Sequence, residues 1–389
     1  MGYRKLRADR LFTGLEWLDN QMVLVLDELG KVEGIVPLDE AGEDVEKLEG
    51  ILSPGFINCH CHLELSHMQG LIPRETGMLG FINAVMDQRA ADNTVIEQAM
   101  EAAEQSMLNK GIVATGDICN TAVSLTQKRK GNMYYHNFIE LSGFNPGTVI
   151  QRFDQGLSVF NEFAQQYGLP VESNSLVPHA PYSVAKDLFK MIMNFPGNHL
   201  ITIHNQESPA EEAFFKNKKG DFLQLYQKLG LDISFWEAPA KPGIIDLLPH
   251  LYKNQSLILV HNVFTSKKDI EFIQEIQKRN AQQIYFCLCP NANLYIGNGL
   301  PNIDIILQSG CPVVLGTDSL ASNSQLCIWE EIKTLLEHFP QLTIEKVLPW
   351  ATINGACALE MESILGSFEK GKQPGVVMVR EVGVEVVSR

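Results

Sequence analysis

Short apolar runs alternate along most of the chain with stretches in which apolar residues recur at helical spacing. The clearest helical stretch covers residues 92–109, where Asp92 or Asn93 can cap the start and Gly111 follows the end. Its apolar face would be formed by Ile96, Ala99, Met100, Ala103 and Met107. This pattern predicts an amphipathic helix followed directly by a strand that begins at Ile112.

Eight apolar runs have the composition of strands, and most of the gaps between them are long enough for a helix. These runs cover residues 56–58, 112–115, 134–139, 174–177, 200–203, 257–260, 284–288 and 313–316. Eight strands that alternate with helices predict an α/β fold of the (β/α)8 TIM-like barrel type. A doubly wound open sheet shows the same alternation, and the strand count alone does not separate the two. The dinucleotide-binding version is disfavoured because no Gly-x-Gly-x-x-Gly motif follows the first strand.

The two ends of the chain have a different pattern, with short strands and turns but no helical period. We expect residues 1–52 and 363–389 to pair into one small β domain beside a barrel domain of residues 53–362.

The segment 206–256 is the longest gap between strands and is rich in aromatic residues. Those side chains are Phe214, Phe215, Phe222, Tyr226, Phe235 and Trp236. They would form the core of additional helices, which is the interpretation we favour, or a cover over the mouth of the barrel.

Composition narrows the class of protein without naming a ligand. Of the 389 residues 45% are hydrophobic and 20% charged, which is ordinary for a globular protein, and the formal net charge is −15. That charge argues against a nucleic acid or an anionic membrane surface as partner, because phosphate binding needs clustered Lys and Arg. The eight cysteines form no Cys-x-x-Cys pair, and no apolar run approaches the ~20 residues of a membrane span. With no signal-peptide pattern at the start, we expect a cytoplasmic protein.

Polar residues with ligand chemistry stand at the ends of several predicted strands. His60 and His62 end the first strand, where residues two apart share a face, and Cys59 and Cys61 would point the other way. A pair of strand histidines is equally compatible with a structural role, so the later strand ends decide.

Those later strand ends carry histidines and carboxylates. The residues that follow the fourth, fifth, sixth and eighth strands include His179, His204, Glu207, His261 and Asp318. A single histidine is usually structural, but five of the ten histidines fall at strand ends, which is where barrel enzymes place their chemistry. We expect His136, His199, His250 and His338 to be structural or exposed, and the role of His67 is open.

The metal ligands predicted from this set are His60, His62, His204 and Asp318. Three neutral imidazoles and one carboxylate suit one Zn²⁺ or Fe²⁺ ion and leave room for a water. A bound metal makes hydroxide available near neutral pH, and Asp318 can accept the proton of the water. Glu207 would carry a proton to the substrate, His261 would stabilise the hydroxide or an oxyanion, and His179 would contact the substrate. The reaction predicted is hydrolytic attack on a polarised sp² carbon.

The first-strand stretch Pro-Gly-Phe-Ile-Asn-Cys-His-Cys-His (54–62) resembles the signature of the amidohydrolase superfamily. Pro-His-Ala-Pro-Tyr-Ser (178–183), His-Asn-Gln-Glu (204–207), Val-His-Asn (260–262) and Gly-Thr-Asp (316–318) are similar to its later strand ends, in the right order. The resemblance covers nearly the whole chain. It implies a metal-dependent barrel and a small β-sandwich built from both termini.

Within that superfamily the chain looks like the cytosine deaminase and chlorohydrolase group, nearest to aminodeoxyfutalosine deaminase-like members. Binuclear members carry a bridging lysine on the fourth strand, and residues 174–179 contain none, so one metal is expected. The resemblance at His62 to Ser66 and at Asp318 to Asn323 brings in Glu64 and Asn323 as candidate substrate-binding residues. The polar pair Asn205-Gln206 would also line the pocket.

The function predicted from these residues is hydrolytic deamination of an aminated N-heterocycle that is purine-like or nucleoside-like. The partner is then a small molecule, and a homodimer is left open. Hydrolysis of another leaving group, as in a chlorohydrolase or an amidase, would use the same scaffold. A non-catalytic barrel is disfavoured because such a protein should lack one or more of the ligands.

Overall fold

The barrel consists of eight parallel strands in two four-stranded halves. A computed structural model describes residues 2–165, 173–251, 255–280 and 282–389 of the chain. The first half has the order β11-β10-β9-β8 and the second β12-β13-β14-β15. The strands are β8 (Phe56–Cys61), β9 (Ile112–Cys119), β10 (Tyr134–Leu141), β11 (Asn174–Pro178), β12 (Leu200–Asn205), β13 (Ser256–His261), β14 (Ile284–Leu288) and β15 (Val313–Leu315).

Backbone hydrogen bonds close the two halves into a barrel at both seams. The amides of Thr317 and Asp318 each donate to the carbonyl of His60 at 3.0 Å, which joins the end of β15 to β8. The amide of His204 donates to the carbonyl of His179 at 3.0 Å, which joins β12 to the end of β11. The closed ring excludes the open-sheet alternative, and both seams meet at predicted site residues.

Amphipathic helices cover the strands and bury their apolar faces against them in one large hydrophobic cluster. The helices are α1 (Gly77–Gln88), α2 (Asn93–Asn109), α3 (Leu125–Lys128), α4 (Val149–Ala164), α5 (Lys186–Met193), α6 (Pro209–Asn217), α7 (Asp221–Lys228), α8 (Gly243–Leu247), α9 (Lys267–Asn280), α10 (Pro290–Ile296), α11 (Ile303–Gln308), α12 (Ile328–His338), α13 (Ile344–Val347) and α14 (Ile353–Ala358). Short 3₁₀ helices lie at Leu63–Met68, Pro146–Thr148, Pro181–Ser183, Leu248–His250 and Leu348–Ala351. Among the described residues, no helix is long and apolar enough to cross a membrane.

Two sheets from the chain ends pack around a separate apolar cluster beside the barrel. Their orders are β5-β4-β1-β6 and β17-β16-β7-β2-β3. The strands are β1 (Arg4–Arg7), β2 (Arg10–Phe12), β3 (Trp17–Asp19), β4 (Met22–Leu26), β5 (Val32–Pro37), β6 (Val45–Lys47), β7 (Ile51–Pro54), β16 (Val376–Arg380) and β17 (Gly383–Ser388). Strand β7 pairs with β16, so both termini contribute to one sheet. Strand β7 ends at Pro54, two residues past the expected boundary at 52/53. The domain boundaries at 52/53 and at 362/363 stay predictions.

Gly55 is the link between the β-sandwich and the barrel, because it separates β7 from β8. A Cβ atom there would lie 2.5 Å from Val113 Cγ1 and 2.7 Å from the carbonyl oxygen of Pro374. Only glycine therefore allows the first barrel strand to leave the sheet this close to its neighbours.

All eight predicted strands are present, and α2 begins at Asn93, one residue after its N-cap Asp92. One expectation for β8 is wrong: Cys59 and Cys61 do not share a face but lie in two separate apolar clusters. The reason is a register shift in the β8–β9 pairing between Asn58 and Cys61, which breaks the regular alternation.

The aromatic residues of segment 206–256 have both of the roles considered. Phe214 and Phe222 are fully buried among the helices α6 and α7, with the Trp236 ring stacked at 4.3 Å on Phe214. Tyr226 also lines the large cavity at the barrel mouth. The segment is thus a helical core that forms part of the cavity wall.

Candidate metal centre and active site

Three histidine side chains converge at the carboxyl ends of β8 and β12. The Nε2 atoms of His60 and His62 are 3.2 Å apart, and those of His62 and His204 are 3.4 Å apart. A tetrahedral ion with bonds of ~2.0 Å to its ligands would separate them by about 3.3 Å. The three imidazoles are thus spaced as ligands of a single ion, and all three are buried.

Asp318 completes this set from the loop that follows β15. Its Oδ1 lies 3.7 Å from His60 Nε2 and 3.4 Å from His62 Nε2, and Ser322 Oγ donates to Oδ2 at 2.7 Å. Its backbone has a φ of +57°, a left-handed conformation that is unusual outside glycine and typical of functional sites. Burial opposes ionisation, but the hydrogen bond to His60 and the nearby imidazoles hold the pKa of Asp318 well below its usual range.

The charge states of these residues suit a metal. Burial lowers the pKa of His60, His62 and His204, that of His62 to about 3, so the rings are neutral at pH 7. Neutral imidazoles and an ionised carboxylate are the forms that coordinate a cation. The donor set therefore fits a divalent metal ion.

Glu207 lies two residues beyond β12 with its carboxyl turned toward His261. Its Oε2 is 3.6 Å from His261 Nε2, and burial raises its pKa well above the usual value, with Asp318 and Glu211 adding to the shift. Glu211 fixes this turn, because its Oε1 accepts from the amide of Glu207 at 2.7 Å and it forms a capping box with Ser208. Burial thus favours the protonated form of a carboxyl that lies beside the candidate metal ligands.

His261 is oriented by one ring nitrogen and leaves the other for the site. Its Nδ1 is hydrogen-bonded to Asn293 Oδ1 at 2.9 Å, which makes Nδ1 the protonated nitrogen, while Nε2 is buried with no hydrogen-bond partner among the described residues. Burial lowers the pKa of His261 well below its usual value. A neutral ring with a free Nε2 can accept a hydrogen bond or a proton from a reacting water.

A cavity of about 740 Å³ opens above these residues. Its lining includes the site residues His62, His179, His204, Glu207, His261 and Asp318, together with apolar side chains and further polar and charged ones. His179 is held there by Ser183, whose Oγ lies 2.6 Å from its Nδ1, and its carbonyl accepts from His204 Nδ1 at 2.8 Å. The cavity size is typical of sites for small organic ligands.

The reasoning from sequence missed Glu140, which follows the predicted third barrel strand directly. Its Oε1 is 3.4 Å from His204 Nδ1 and has no hydrogen-bond partner among the described residues, and it lines the cavity. Burial opposes ionisation, but the imidazoles of His179, His204 and His62 hold the pKa of Glu140 at about 2. Its position at a strand end was the available signal.

Helix α1 was also missed, although it forms one wall of the cavity. Its residues Met78, Phe81, Ile82 and Val85 line the space and recur at helical spacing, which was a readable pattern.

Glu64 and Asn323, the two candidate substrate-binding residues suggested by the family resemblance, lie behind the cavity wall. Glu64 accepts hydrogen bonds from the amides of Asn120 and Thr121 and lies 3.4 Å from Arg89 Nη2. Asn323 donates to the Thr317 carbonyl and to Glu331 Oε1, both at 2.9 Å. Neither lines the cavity, so their contacts point to positioning of neighbours and not to direct substrate contact.

The expectation that Asn205 and Gln206 line the pocket is wrong. Asn205 donates to Asn262 Oδ1 at 3.0 Å, and Gln206 donates to Asp269 Oδ2 at 3.0 Å, away from the cavity. Gln206 has a φ of +47°, so the chain turns outward at the end of β12 and carries both amides with it.

The family model of the amidohydrolase family matches residues 51–385 of this chain, which covers the whole barrel and the C-terminal strands. The chain belongs to the amidohydrolase family. This membership confirms the family and the fold class expected from the sequence. Members of this family are typically dependent on divalent metals, in agreement with the donor set described above.

Relatives of known activity show sequence similarity to this chain, and a solved structure shows the same fold. An adenosine deaminase from Helicobacter pylori is 26% identical over 328 residues, which span 83% of this chain and 77% of the relative. A 5-methylthioadenosine/S-adenosylhomocysteine deaminase from Teredinibacter turnerae is 26% identical over 375 residues, 90% of this chain and 77% of the relative. The structure of Helicobacter pylori aminofutalosine deaminase in complex with methylthio-coformycin superposes with a TM-score of 0.80 at 22% identity, covering 97% of this chain and 93% of the other. The superposition shows the shared fold.

Proposed function

We propose that this amidohydrolase replaces the amino group of a purine-like, nucleoside-like substrate by oxygen and releases ammonia. The observation that carries the proposal is the set at the cavity floor: three neutral imidazoles and an ionised Asp318 spaced for one cation, with the Glu207 carboxyl, whose pKa is raised by burial, beside them. A divalent cation held there would lower the pKa of a water toward neutrality.

The residues of this chain supply the proton steps. The water oxygen forms a bond to the amino-bearing ring carbon while Asp318 accepts a proton from that water. Glu207 donates its proton to the adjacent ring nitrogen, which places the negative charge on the carboxylate and not on the ring. His261 Nε2, which carries no proton, accepts a hydrogen bond from the O–H of the incoming water. Asp318 then returns its proton to the amino group, and the carbon–nitrogen bond breaks with its electron pair on the nitrogen, so that ammonia leaves. The remaining hydroxyl proton passes to the Glu207 carboxylate, which leaves a ring carbonyl and restores the starting state of both carboxyls.

Zinc is the proposed ion, in one copy per chain. The His₃Asp set matches the ligands that zinc prefers when one position is left open for water. Strand β11 (Asn174–Pro178) contains no lysine that could bridge a second metal. Fe²⁺ accepts the same ligands, so metal analysis of the purified protein distinguishes the two.

A nucleoside-like substrate is supported by the space and by the relatives. The cavity of about 740 Å³ leaves room for more than a bare heterocycle, and much of its wall is apolar. The relatives reported above carry the names adenosine deaminase and 5-methylthioadenosine/S-adenosylhomocysteine deaminase.

The test is an ammonia-release assay with zinc-loaded protein on adenine, adenosine, 5′-methylthioadenosine, guanine and cytosine. We expect release from the purine nucleosides above that from the free bases. Matched 6-chloropurine and 6-methylaminopurine nucleosides report halide and amine release. Faster turnover of these two than of the amino compounds would contradict a deaminase, and no turnover of any compound would favour a non-catalytic barrel.

A further inference from the structure

The side chains of Glu64 and His67, which follow the His60–His62 pair, both hold the same arginine. His67 Nε2 lies 3.0 Å from the carbonyl oxygen of Arg89, and Glu64 Oε1 lies 3.4 Å from its Nη2. Arg89 is the C-terminal cap of α1, and its amide donates to Val85. The segment after His62 therefore holds both the backbone and the guanidinium of Arg89.

Glu64 is itself rigidly bound. Its Oε2 accepts from the amide of Thr121 at 3.2 Å and from Thr121 Oγ1 at 3.0 Å, and its Oε1 accepts from the amide of Asn120 at 3.3 Å. A carboxylate with so many fixed donors presents a fixed oxygen to the guanidinium and limits its rotamers.

Arg89 keeps donors free for a ligand. A guanidinium carries five N–H donors, and among the described residues only Nη2 has a hydrogen-bond partner, Glu64. The Arg89 side chain is 42% exposed and lines the large cavity, whereas Glu64 is 4% exposed behind it. The free N–H groups of Arg89 thus face space that a ligand can occupy.

The acidic and the basic residues that line the cavity differ in burial and in their neighbours. Its three carboxylates are nearly buried and each lies within 3.6 Å of a site histidine: Glu140 near His204, Glu207 near His261, and Asp318 near His62. Its two cations are Arg89 and Arg152, both in segments that follow strand ends and both more exposed. The same lining contains the apolar side chains of Met78, Phe81, Ile82 and Val85, which lie on helix α1, the helix capped by Arg89, and that of Phe144.

We propose that Arg89 is a specificity-determining residue that binds an anionic group, carboxylate or phosphate, at the outer end of an apolar substituent on the substrate. Glu64 and His67 are its positioning residues. The inference rests on the proposed function, because the reacting heterocycle sets where the substituent begins. A planar guanidinium with free donors binds such oxyanions through paired hydrogen bonds.

The first experiment measures binding without turnover. The probes are 5′-thioinosines whose alkyl arms of increasing length end in a carboxylate, in a phosphonate or in a neutral carboxamide, titrated calorimetrically into zinc-loaded protein. At the best arm length we expect one of the two anions to bind about tenfold or more tighter than the carboxamide. Arg89→Met should remove that preference. The comparison of carboxylate with phosphonate identifies the anion.

Two matched variants test whether the effect belongs to Arg89. Arg129→Met removes an exposed positive charge at the end of α3, outside the cavity, and should keep the preference. Arg152→Met removes the other cavity cation. The proposal is overturned if the preference for an anionic arm survives Arg89→Met or is lost only in Arg152→Met. It is also overturned if the wild type shows no such preference at any arm length, or if no probe binds.

The positioning role has its own readout. Glu64→Gln should weaken binding of the anionic probe in the wild-type background and have no further effect on that binding in Arg89→Met. An equal loss in both backgrounds would mean that Glu64 acts on folding and not through Arg89.

Turnover of the matching 6-amino nucleosides separates this proposal from the function. Arg89→Met should raise KM for the anionic compounds about tenfold and leave kcat nearly unchanged. Selective binding without ammonia release would overturn the deaminase and keep Arg89. Ammonia release without anion preference would overturn the proposal for Arg89 and keep the deaminase.

Discussion

At the scale of single residues, the metal centre depends on strained backbone at strand ends. Asp318 and His261 have positive φ values of +57° and +74°, and these turn their side chains from the strand direction into the cavity. Each is held by a neighbour, Asp318 by Ser322 and His261 by Asn293. The site therefore relies on surrounding hydrogen bonds to keep a conformation that the residues would not adopt alone.

Substitutions of Glu207 and of Asp318 should differ in their effects on turnover and on bound metal. Glu207→Gln removes the proton donor but no metal ligand, so kcat should fall about 10²–10⁴-fold while metal content stays that of the wild type. Asp318→Asn removes a ligand and the base together, so both turnover and bound metal should be lost, while the variant still folds with a stability close to that of the metal-free wild type. Steady-state kinetics with metal analysis of each variant checks this. Substantial turnover in Asp318→Asn would refute its role as base.

At the scale of elements, the strand ends were predictable and the loop contacts were not. The barrel strands have apolar runs of readable length, and His60, His62, His204 and Asp318 stand directly at their ends. By contrast, Glu64 sits in the 3₁₀ helix Leu63–Met68, where side-chain direction follows from packing and not from a sequence period. Glu140 stands near the end of β10, and it was missed because a single carboxylate at a strand end has no partner at a fixed spacing to add to that signal.

A buried ion pair fixes the element that follows the His60–His62 strand. Lys128 Nζ lies 2.5 Å from Asp117 Oδ2 with both side chains fully buried, and Asp117 Oδ1 accepts from the amide of Leu63 at 2.8 Å. Lys128→Met would leave the Asp117 charge unpaired and should destabilise the protein by about 3–5 kcal/mol. Chemical denaturation measures the change.

The control for this pair is Lys130→Met on the same segment. Lys130 pairs with Glu101 at 2.8 Å, but the two side chains are 41% and 64% exposed. Its removal should cost about 1 kcal/mol or less, because solvent screens the pair. Equal losses in the two variants would mean that burial of the Lys128 pair adds nothing.

The ladder between β10 and β11 contains a histidine that should make stability depend on pH. His136 Nε2 lies 2.9 Å from Ser175 Oγ, and burial lowers the pKa of His136 to about 3. Between pH 6.5 and 3 the unfolded chain therefore binds a proton that the folded chain does not. Stability contributed by neutral His136 is lost as pH falls, by about 1.4 kcal/mol per pH unit.

Comparison with His136→Gln isolates this residue from the other histidines. The difference in unfolding free energy between the metal-free wild type and the variant should shrink as pH falls from 6.5 toward 4. A difference that is constant over this range would show that His136 does not titrate on unfolding.

At the scale of the whole molecule, the hydrogen bonds that close the barrel involve three of the four predicted metal ligands, His60, His204 and Asp318. The seam between β15 and β8 uses the His60 carbonyl and the Asp318 amide, and the seam between β11 and β12 uses the His179 carbonyl and the His204 amide. The predictions of an amidohydrolase fold and of a hydrolase were both drawn from these strand ends, and the family model and the relatives confirm them. Oligomeric state and cellular location stay predictions, since neither follows from the contacts within one chain.

Removal of the metal should loosen the barrel as well as stop turnover. An ion bound by His60, His62, His204 and Asp318 ties β8 to β12 and to the end of β15, so it bridges both halves. At a free concentration of about 1,000 times its Kd, a ligand that binds only the folded state adds ~4 kcal/mol to stability. We expect chelation to lower Tm, zinc to restore it, and the restored protein to hold about one ion per chain. In Asp318→Asn the same chelation should shift Tm much less. Two tightly bound ions in the wild type, or an unchanged Tm after complete metal removal, would contradict a single ion that links the two halves.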